Sequence, residues 1–163
     1  MKKSLILILM VLVACLLIII SIMDSARAEE KYILCRPETE VNVRLYPKFG
    51  AEVIGHKYCG DAVYTDGKRK NGFVHVYDLG FEHMEGWIYS GVLVDYPPMI
   101  FQGKDQIMPS GKVAARQYIG GKRNRWLRSG REVFVYAVSK EWTITDKGYI
   151  KTKYLSVNYQ IPQ

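Results

Sequence analysis

Val41-Asn42-Val43-Arg44 and Val113-Ala114-Ala115-Arg116 begin two stretches of sequence that run in the same order and decide the fold. Three further pairs of segments follow them in the same order. The pairs are Cys59-Gly60-Asp61-Ala62-Val63-Tyr64 with Ser129-Gly130-Arg131-Glu132-Val133-Phe134, Asn71-Gly72-Phe73-Val74-His75-Val76 with Lys140-Glu141-Trp142-Thr143-Ile144, and Gly86-Trp87-Ile88 through Leu93 with Gly148-Tyr149-Ile150 through Leu155. Because the same four motifs occur in the same order in both halves, we predict two domains of similar fold.

Short runs of β-branched and aromatic residues, separated by Gly, Asp, Asn and Pro, predict an all-β protein. Asp66-Gly67 and Asn71-Gly72 have the composition of tight turns between strands. The strands predicted in the first half are residues 32–35, 41–45, 53–57, 62–65, 73–77 and 86–89.

The ordered set V-x-V-R, G-x-x-V, an aromatic strand and G-W-I-x-x-x-x-L resembles the bacterial SH3-like (SH3b) family over residues 31–157. The first copy fits well through Val41-Asn42-Val43-Arg44 and Gly86-Trp87-Ile88, whereas the second departs at Ala114, Ala115 and Tyr149. The resemblance implies two small SH3-like barrels in tandem that recognise peptidoglycan peptides or related wall polymers.

The chain therefore divides into four predicted segments. They are a hydrophobic leader at 1–28, SH3-like domains at 29–98 and 99–158, and a C-terminal tail at 159–163. Residues 99–110 carry Ile100, Phe101, Ile107 and Met108, which we expect to be buried, and we expect part of this segment to form the opening strand of the second barrel.

The leader has the features of an export signal. Lys2 and Lys3 precede an apolar run at residues 5–23, and Ala26 and Ala28 match the A-x-A cleavage pattern. Two alternatives stay open: an uncleaved membrane anchor, and a lipoprotein modified at Cys15, which follows Leu12-Val13-Ala14. All three place the folded part outside the cytoplasm, secreted or associated with the envelope.

Charge is distributed unevenly between the two halves. Residues 29–98 carry 8 basic and 11 acidic side chains, net −3, whereas residues 99–163 carry 12 basic and 4 acidic, net +8. A polyanionic partner for the second half would explain this asymmetry, and the alternative is a solvated basic surface. Export makes nucleic acid an unsuitable partner, so we expect a cell-wall polymer or an envelope protein.

Cys35 and Cys59 are the cysteines that follow the leader, and in an exported domain they predict a disulfide. His56, His75 and His83 lie in the same half without the compact spacing of a zinc site. We therefore expect no metal and no cofactor. Neither cysteine lies in a recognisable catalytic motif, so we expect no enzyme activity.

Gly120-Gly121-Lys122-Arg123-Asn124-Arg125-Trp126-Leu127-Arg128 is the strongest candidate for ligand binding. Lys122, Arg123, Arg125 and Arg128 surround Trp126, so phosphate or carboxylate contacts could combine with stacking. The alternative is a charged hairpin whose Trp126 covers the core. Other aromatic side chains on or beside loops are candidate contacts: Tyr46, Tyr64, Tyr89 and Trp142. For Trp87 and Tyr149 we expect packing instead.

Together these features favour a non-catalytic exported module that binds cell-wall polymers, either peptidoglycan or an anionic wall polymer. One alternative is a protein–protein adaptor in an envelope, secretion or conjugation assembly. A second alternative is a wall hydrolase of an unrecognised type.

The leader yields a direct prediction. Intact-mass measurement of the exported protein should give a chain that begins at Glu29, because the A-x-A pattern ends at Ala28. A full-length mass would contradict cleavage and favour the anchor, and a mass that includes a diacylated Cys15 would favour the lipoprotein.

Overall fold

A computed structural model describes residues 28–78, 84–108 and 111–156, and its regular structure is β-strand with two short 3₁₀ turns. The predicted all-β fold is confirmed. The N-terminal sheet contains β1 Glu29–Ile33, β2 Val41–Arg44, β3 Val53–Lys57, β4 Ala62–Lys70, β5 Phe73–Tyr77, β6 Glu85–Tyr89 and β7 Leu93–Val94. The C-terminal sheet contains β8 Met99–Gln106, β9 Lys112–Arg116, β10 Arg123–Arg128, β11 Glu132–Val138, β12 Trp142–Thr145 and β13 Gly148–Lys151. The 3₁₀ turns are Ser90–Val92 and Thr152–Tyr154.

The two sheets have the same strand order, which is the structural counterpart of the repeated sequence pattern. The N-terminal order is β3-β2-β6-β5-β4-β1-β7, and the C-terminal order is β10-β9-β13-β12-β11-β8. An isolated bridge from Leu155 to Ile107 takes the place that β7 has beside β1.

Neither sheet closes into a barrel through ladder hydrogen bonds among the described strands. Each sheet instead curves around its own core. In the C-terminal sheet, Leu127 on edge strand β10 and Phe101 on edge strand β8 pack in one cluster with Val133 and Ile150. Burial of shared apolar side chains therefore brings the two edges together without pairing them.

The repeated glycines allow a close approach between strands. A Cβ at Gly86 would lie 2.9 Å from the Arg44 carbonyl oxygen, and one at Gly148 would lie 2.4 Å from that of Arg116. Each arginine also donates a hydrogen bond to a carbonyl in the following hairpin, Arg44 to Ala51 at 2.7 Å and Arg116 to Gly121 at 2.6 Å. In each half, the arginine that ends the first motif and the glycine that begins the last motif therefore contact each other.

The opening strand expected within residues 99–110 is β8 Met99–Gln106, but only part of the apolar content of the segment is buried. Ile107 is fully buried and Phe101 is half-buried against the core. Ile100 and Met108 are exposed, so the expectation of burial was wrong for them. Alternation along β8 explains Ile100, because neighbouring side chains point to opposite faces.

The sheets share an apolar interface. Leu34 and Val94 from the N-terminal half pack with Trp142, Ile144 and Tyr149 from the C-terminal half. The Tyr149 hydroxyl donates a buried hydrogen bond of 2.9 Å to the Leu34 carbonyl oxygen. Packing was the role expected for Tyr149, and here it joins the two sheets.

The predicted leader at 1–28, the expected cleavage site and the lipid-modified Cys15 lie outside the described residues apart from Ala28, as do His83 and the tail at 159–163. None of the described residues belongs to a helix able to span a membrane.

Replacing Tyr149 with Phe should lower the free energy of unfolding by about 1–3 kcal/mol, because the Leu34 carbonyl loses its partner in a buried place. Urea unfolding measures the loss. The matched control is Tyr46→Phe, whose side chain is exposed and should change stability by less than about 0.5 kcal/mol. Equal effects of the two changes would contradict the role assigned to the interface hydrogen bond.

Candidate functional site

The predicted basic segment forms an edge strand of the C-terminal sheet and not a loop. Lys122 precedes β10, and Arg123, Arg125 and Arg128 are exposed along it, while Leu127 points into the core. The strand forms because β10 pairs with β9 and alternation directs Leu127 inward.

Trp126 is 50% exposed, which favours its role as a surface contact over the alternative in which it covers the core. A register shift between Arg123 and Arg125 adds a residue to this strand. Such a bulge redirects side chains, and the Arg123 guanidinium lies 4.5 Å from the centre of the Trp126 ring.

A groove of about 500 Å³, here called the basic groove, opens beside Trp126. Its lining comes entirely from the C-terminal half and combines three cations with three aromatic rings. The lining residues are Lys112, Val113, Ala114, Arg116, Gly120, Trp126, Trp142, Lys151 and Tyr154. The ammonium of Lys151 lies 4.2 Å from the centre of the Trp142 ring.

Positive charge is concentrated where β9 and β10 border the basic groove. Lys112 and Arg128 are directly opposite each other in the antiparallel register. Like charges at opposed positions destabilise a strand pair, so a bound anion would relieve this repulsion. The cationic strand pair and the two tryptophans together can hold a negatively charged ligand that also offers apolar surface for stacking.

The other predicted contact residues are dispersed. Tyr46 is exposed in the β2–β3 hairpin, as expected. Tyr64 on β4 is half-buried, with its ring stacked on Tyr77 and its hydroxyl bonded to Glu30. Trp142 is only 8% exposed, because it packs in the interface, so its predicted free exposure was wrong although it lines the basic groove.

A second groove, here called the inter-sheet groove, has a volume of about 480 Å³ and is lined by both halves. Arg36, Glu40 and Phe49 border it from one side and Ile144 and Tyr149 from the other. Sequence reasoning missed this groove because its residues belong to segments about a hundred positions apart, and only the packing of the sheets brings them together.

Tyr89 lies where the inter-sheet groove meets the interface. Its ring centre is 5.1 Å from that of Phe49 and 5.0 Å from that of Tyr118. Burial, together with a hydrogen bond to Tyr118, raises the pKa of Tyr89 to about 12. The hydroxyl therefore stays neutral at physiological pH. Tyr89, a candidate ligand contact, is half-buried and packs against these two rings.

Cys35 and Cys59 are both free thiols in the structure, so the predicted disulfide is not formed there. The two side chains nevertheless pack in the same cluster of the N-terminal half. The neighbouring Cys35 thiol lowers the pKa of Cys59 to about 7, while the proximity of Cys59, together with burial, raises the pKa of Cys35.

Both histidines in the described ranges pair with carboxylates. His56 lies 3.3 Å from Glu40, and His75 lies 3.1 Å from both Asp66 and Glu85. In these ranges no group of three or more His, Cys, Asp or Glu side chains is arranged to hold a metal ion.

No family model and no curated protein matches the chain. Among solved structures it is similar to NlpC1 from Trichomonas vaginalis, with 17% identity and a TM-score of 0.34, over 80% of this chain and 46% of that one. NlpC2 from Trichomonas vaginalis has 16% identity and a TM-score of 0.33, over 83% of this chain and 51% of that one. The chain spans about half the length of these structures. At this level of similarity neither informs its function.

Trp126 and Trp142 line the same groove but should differ in their contribution to stability. Trp142→Ala should lower the free energy of unfolding by about 3–5 kcal/mol, because it removes a buried ring. Trp126→Ala should lower it by about 1 kcal/mol or less, since half of that side chain is already in water. Urea unfolding of both variants measures the difference, and a large loss for Trp126→Ala would contradict its role as a surface contact.

Proposed function

We propose that the protein is a non-catalytic, exported binding module whose basic groove holds an anionic cell-wall polymer. The observation that carries the proposal is the meeting of Lys112, Arg116 and Lys151 with Trp126 and Trp142 in one groove. The groove volume of about 500 Å³ falls within the usual range of ligand sites, roughly 300–1,000 Å³.

The chemistry of the groove fits a polymer of sugars and phosphates. Guanidinium groups bind phosphate or carboxylate in a bidentate manner, and an ammonium group supplies a compact charge. The half-exposed face of Trp126 can stack on the apolar face of a sugar ring. The resemblance to SH3-like domains and the predicted export signal both support a ligand outside the cytoplasm.

Histidine placement supports binding without catalysis. A nucleophilic cysteine needs a general base within hydrogen-bond reach. Among the described residues, no hydrogen bond joins His56 or His75 to either cysteine, and the Cys35 thiol donates to the Thr39 carbonyl instead. The wall-hydrolase alternative is therefore not favoured by any contact of these side chains.

The test is a pull-down on purified sacculi that retain their anionic polymers. Binding should fall steeply between 0.1 and 1 M salt, because the Debye length shrinks from about 10 Å to about 3 Å. Changing four exposed cations to Gln should remove most of the binding: Lys112, which lines the basic groove, and Arg123, Arg125 and Arg128 on the adjoining strand β10. The melting temperature should stay nearly unchanged, since exposed charges contribute little to stability.

A matched control separates local charge from net charge. Changing Lys48, Lys68, Arg69 and Lys70 to Gln removes the same number of exposed cations from the N-terminal half. This variant should bind nearly as well as the unchanged protein. Equal losses in the two variants, or binding that is indifferent to salt, would overturn the proposal.

A second candidate function, an adaptor for an envelope protein, is favoured by the β2–β3 hairpin. Leu45, Tyr46 and Phe49 are exposed there, with Phe49 68% exposed beside the inter-sheet groove. Clusters of exposed apolar side chains mark protein contacts. If sacculi fail to bind the protein, cross-linking to envelope proteins that is lost in Tyr46→Ser and Phe49→Ser would favour this alternative.

A further inference from the structure

The two thiols are held side by side by the backbone around them. The Gly60 amide donates to the Ile33 carbonyl at 2.8 Å, and the Ile33 amide donates to the Asp61 carbonyl at 2.9 Å. These bonds fix the turn that carries Cys59 against the end of β1, directly beside Cys35. The contact therefore follows from the fold, and the two sulfur atoms can meet without a large rearrangement.

The pair is unequal in exposure and in hydrogen bonding. Cys35 is 4% exposed, whereas Cys59 is half-buried. The Cys35 thiol donates a hydrogen bond of 3.4 Å to the Thr39 carbonyl oxygen. The proximity of the Cys35 thiol lowers the pKa of the more accessible Cys59 to about 7. Nucleophilic character is thus concentrated on the more accessible sulfur.

We propose that Cys59 and Cys35 form a thiol–disulfide exchange site, with Cys59 as the attacking thiolate and Cys35 as the resolving thiol. The co-reactant is a small-molecule or protein disulfide met outside the cytoplasm. The Cys59 thiolate attacks one sulfur of that disulfide, forms a mixed disulfide and releases one thiolate. Cys35 then loses its proton to solvent and attacks the Cys59 sulfur, which forms the Cys35–Cys59 bond and releases the second thiolate. The protein is oxidised by two electrons and the disulfide is reduced to two thiols.

Oxidation at this place acts on the inter-sheet groove. Cys35 lines that groove, and its neighbour Leu34 accepts the hydrogen bond from Tyr149. A bond between Cys35 and Cys59 ties the end of β1 to the β3–β4 turn beneath the groove. We infer that oxidation stiffens the inter-sheet groove, whereas the basic groove, which is lined only from the C-terminal half, keeps its shape.

The test uses the full chain with Cys15 changed to Ala, so that Cys35 and Cys59 are the thiols that react. The reduced protein is mixed with glutathione disulfide, quenched with acid at intervals and measured by intact mass and peptide mapping. The parent should lose two hydrogen atoms in mass with little accumulated adduct. Cys35→Ser should accumulate a glutathione adduct on Cys59, and Cys59→Ser should react at least tenfold more slowly, because Cys35 is buried.

Two outcomes would overturn the proposal. One is a parent protein that carries two stable glutathione adducts, and the other is equal reaction rates in the two serine variants. Thermal unfolding of each variant shows whether it is folded, and Cys→Ala versions replace any serine variant that is not. Oxidised parent should melt several degrees above reduced parent, and an unchanged melting temperature would contradict the stiffening of the inter-sheet groove.

Discussion

The buried contact between Tyr149 and Leu34 is the constraint on which the other features depend. A tyrosine hydroxyl far from water must find an acceptor, and the Leu34 carbonyl is the group that receives it. Burial raises the pKa of Tyr149, which keeps the hydroxyl protonated as a donor over the whole physiological range. The apolar side chains around this bond then fix one sheet against the other.

The two grooves differ in how far they depend on this packing of the two sheets. The inter-sheet groove exists only while the sheets are packed, because Arg36 and Phe49 come from one half and Ile144 from the other. The basic groove is built within the C-terminal half, and it meets the interface only at Trp142. Charge follows the same division, since net positive charge lies in the half that contains the basic groove.

Much of the fold could be predicted because the repeated residues have physical roles that depend on their near neighbours in sequence. Alternation of apolar and polar residues in Val41-Asn42-Val43-Arg44 indicates a half-buried strand. Gly86 and Gly148 lie at equivalent positions where two strands approach closely. The cluster of cations around Trp126 could be recognised as a candidate site for the same reason, since its members are neighbours in sequence. What could not be predicted depends on contacts between distant segments: the inter-sheet groove and the burial of Trp142.

The central claim is that the basic groove is the ligand site, and the three tryptophans allow a direct measurement. Trp126 and Trp142 line the basic groove, whereas Trp87 lies on β6 of the N-terminal sheet beside His75. Indole N–H signals can be followed by NMR while solubilised wall fragments carrying phosphate polymer are added. The account predicts shifts for Trp126 and Trp142, little change for Trp87, and loss of the shifts when the phosphate polymer is removed. A shift confined to Trp87, or shifts that survive that removal, would contradict it.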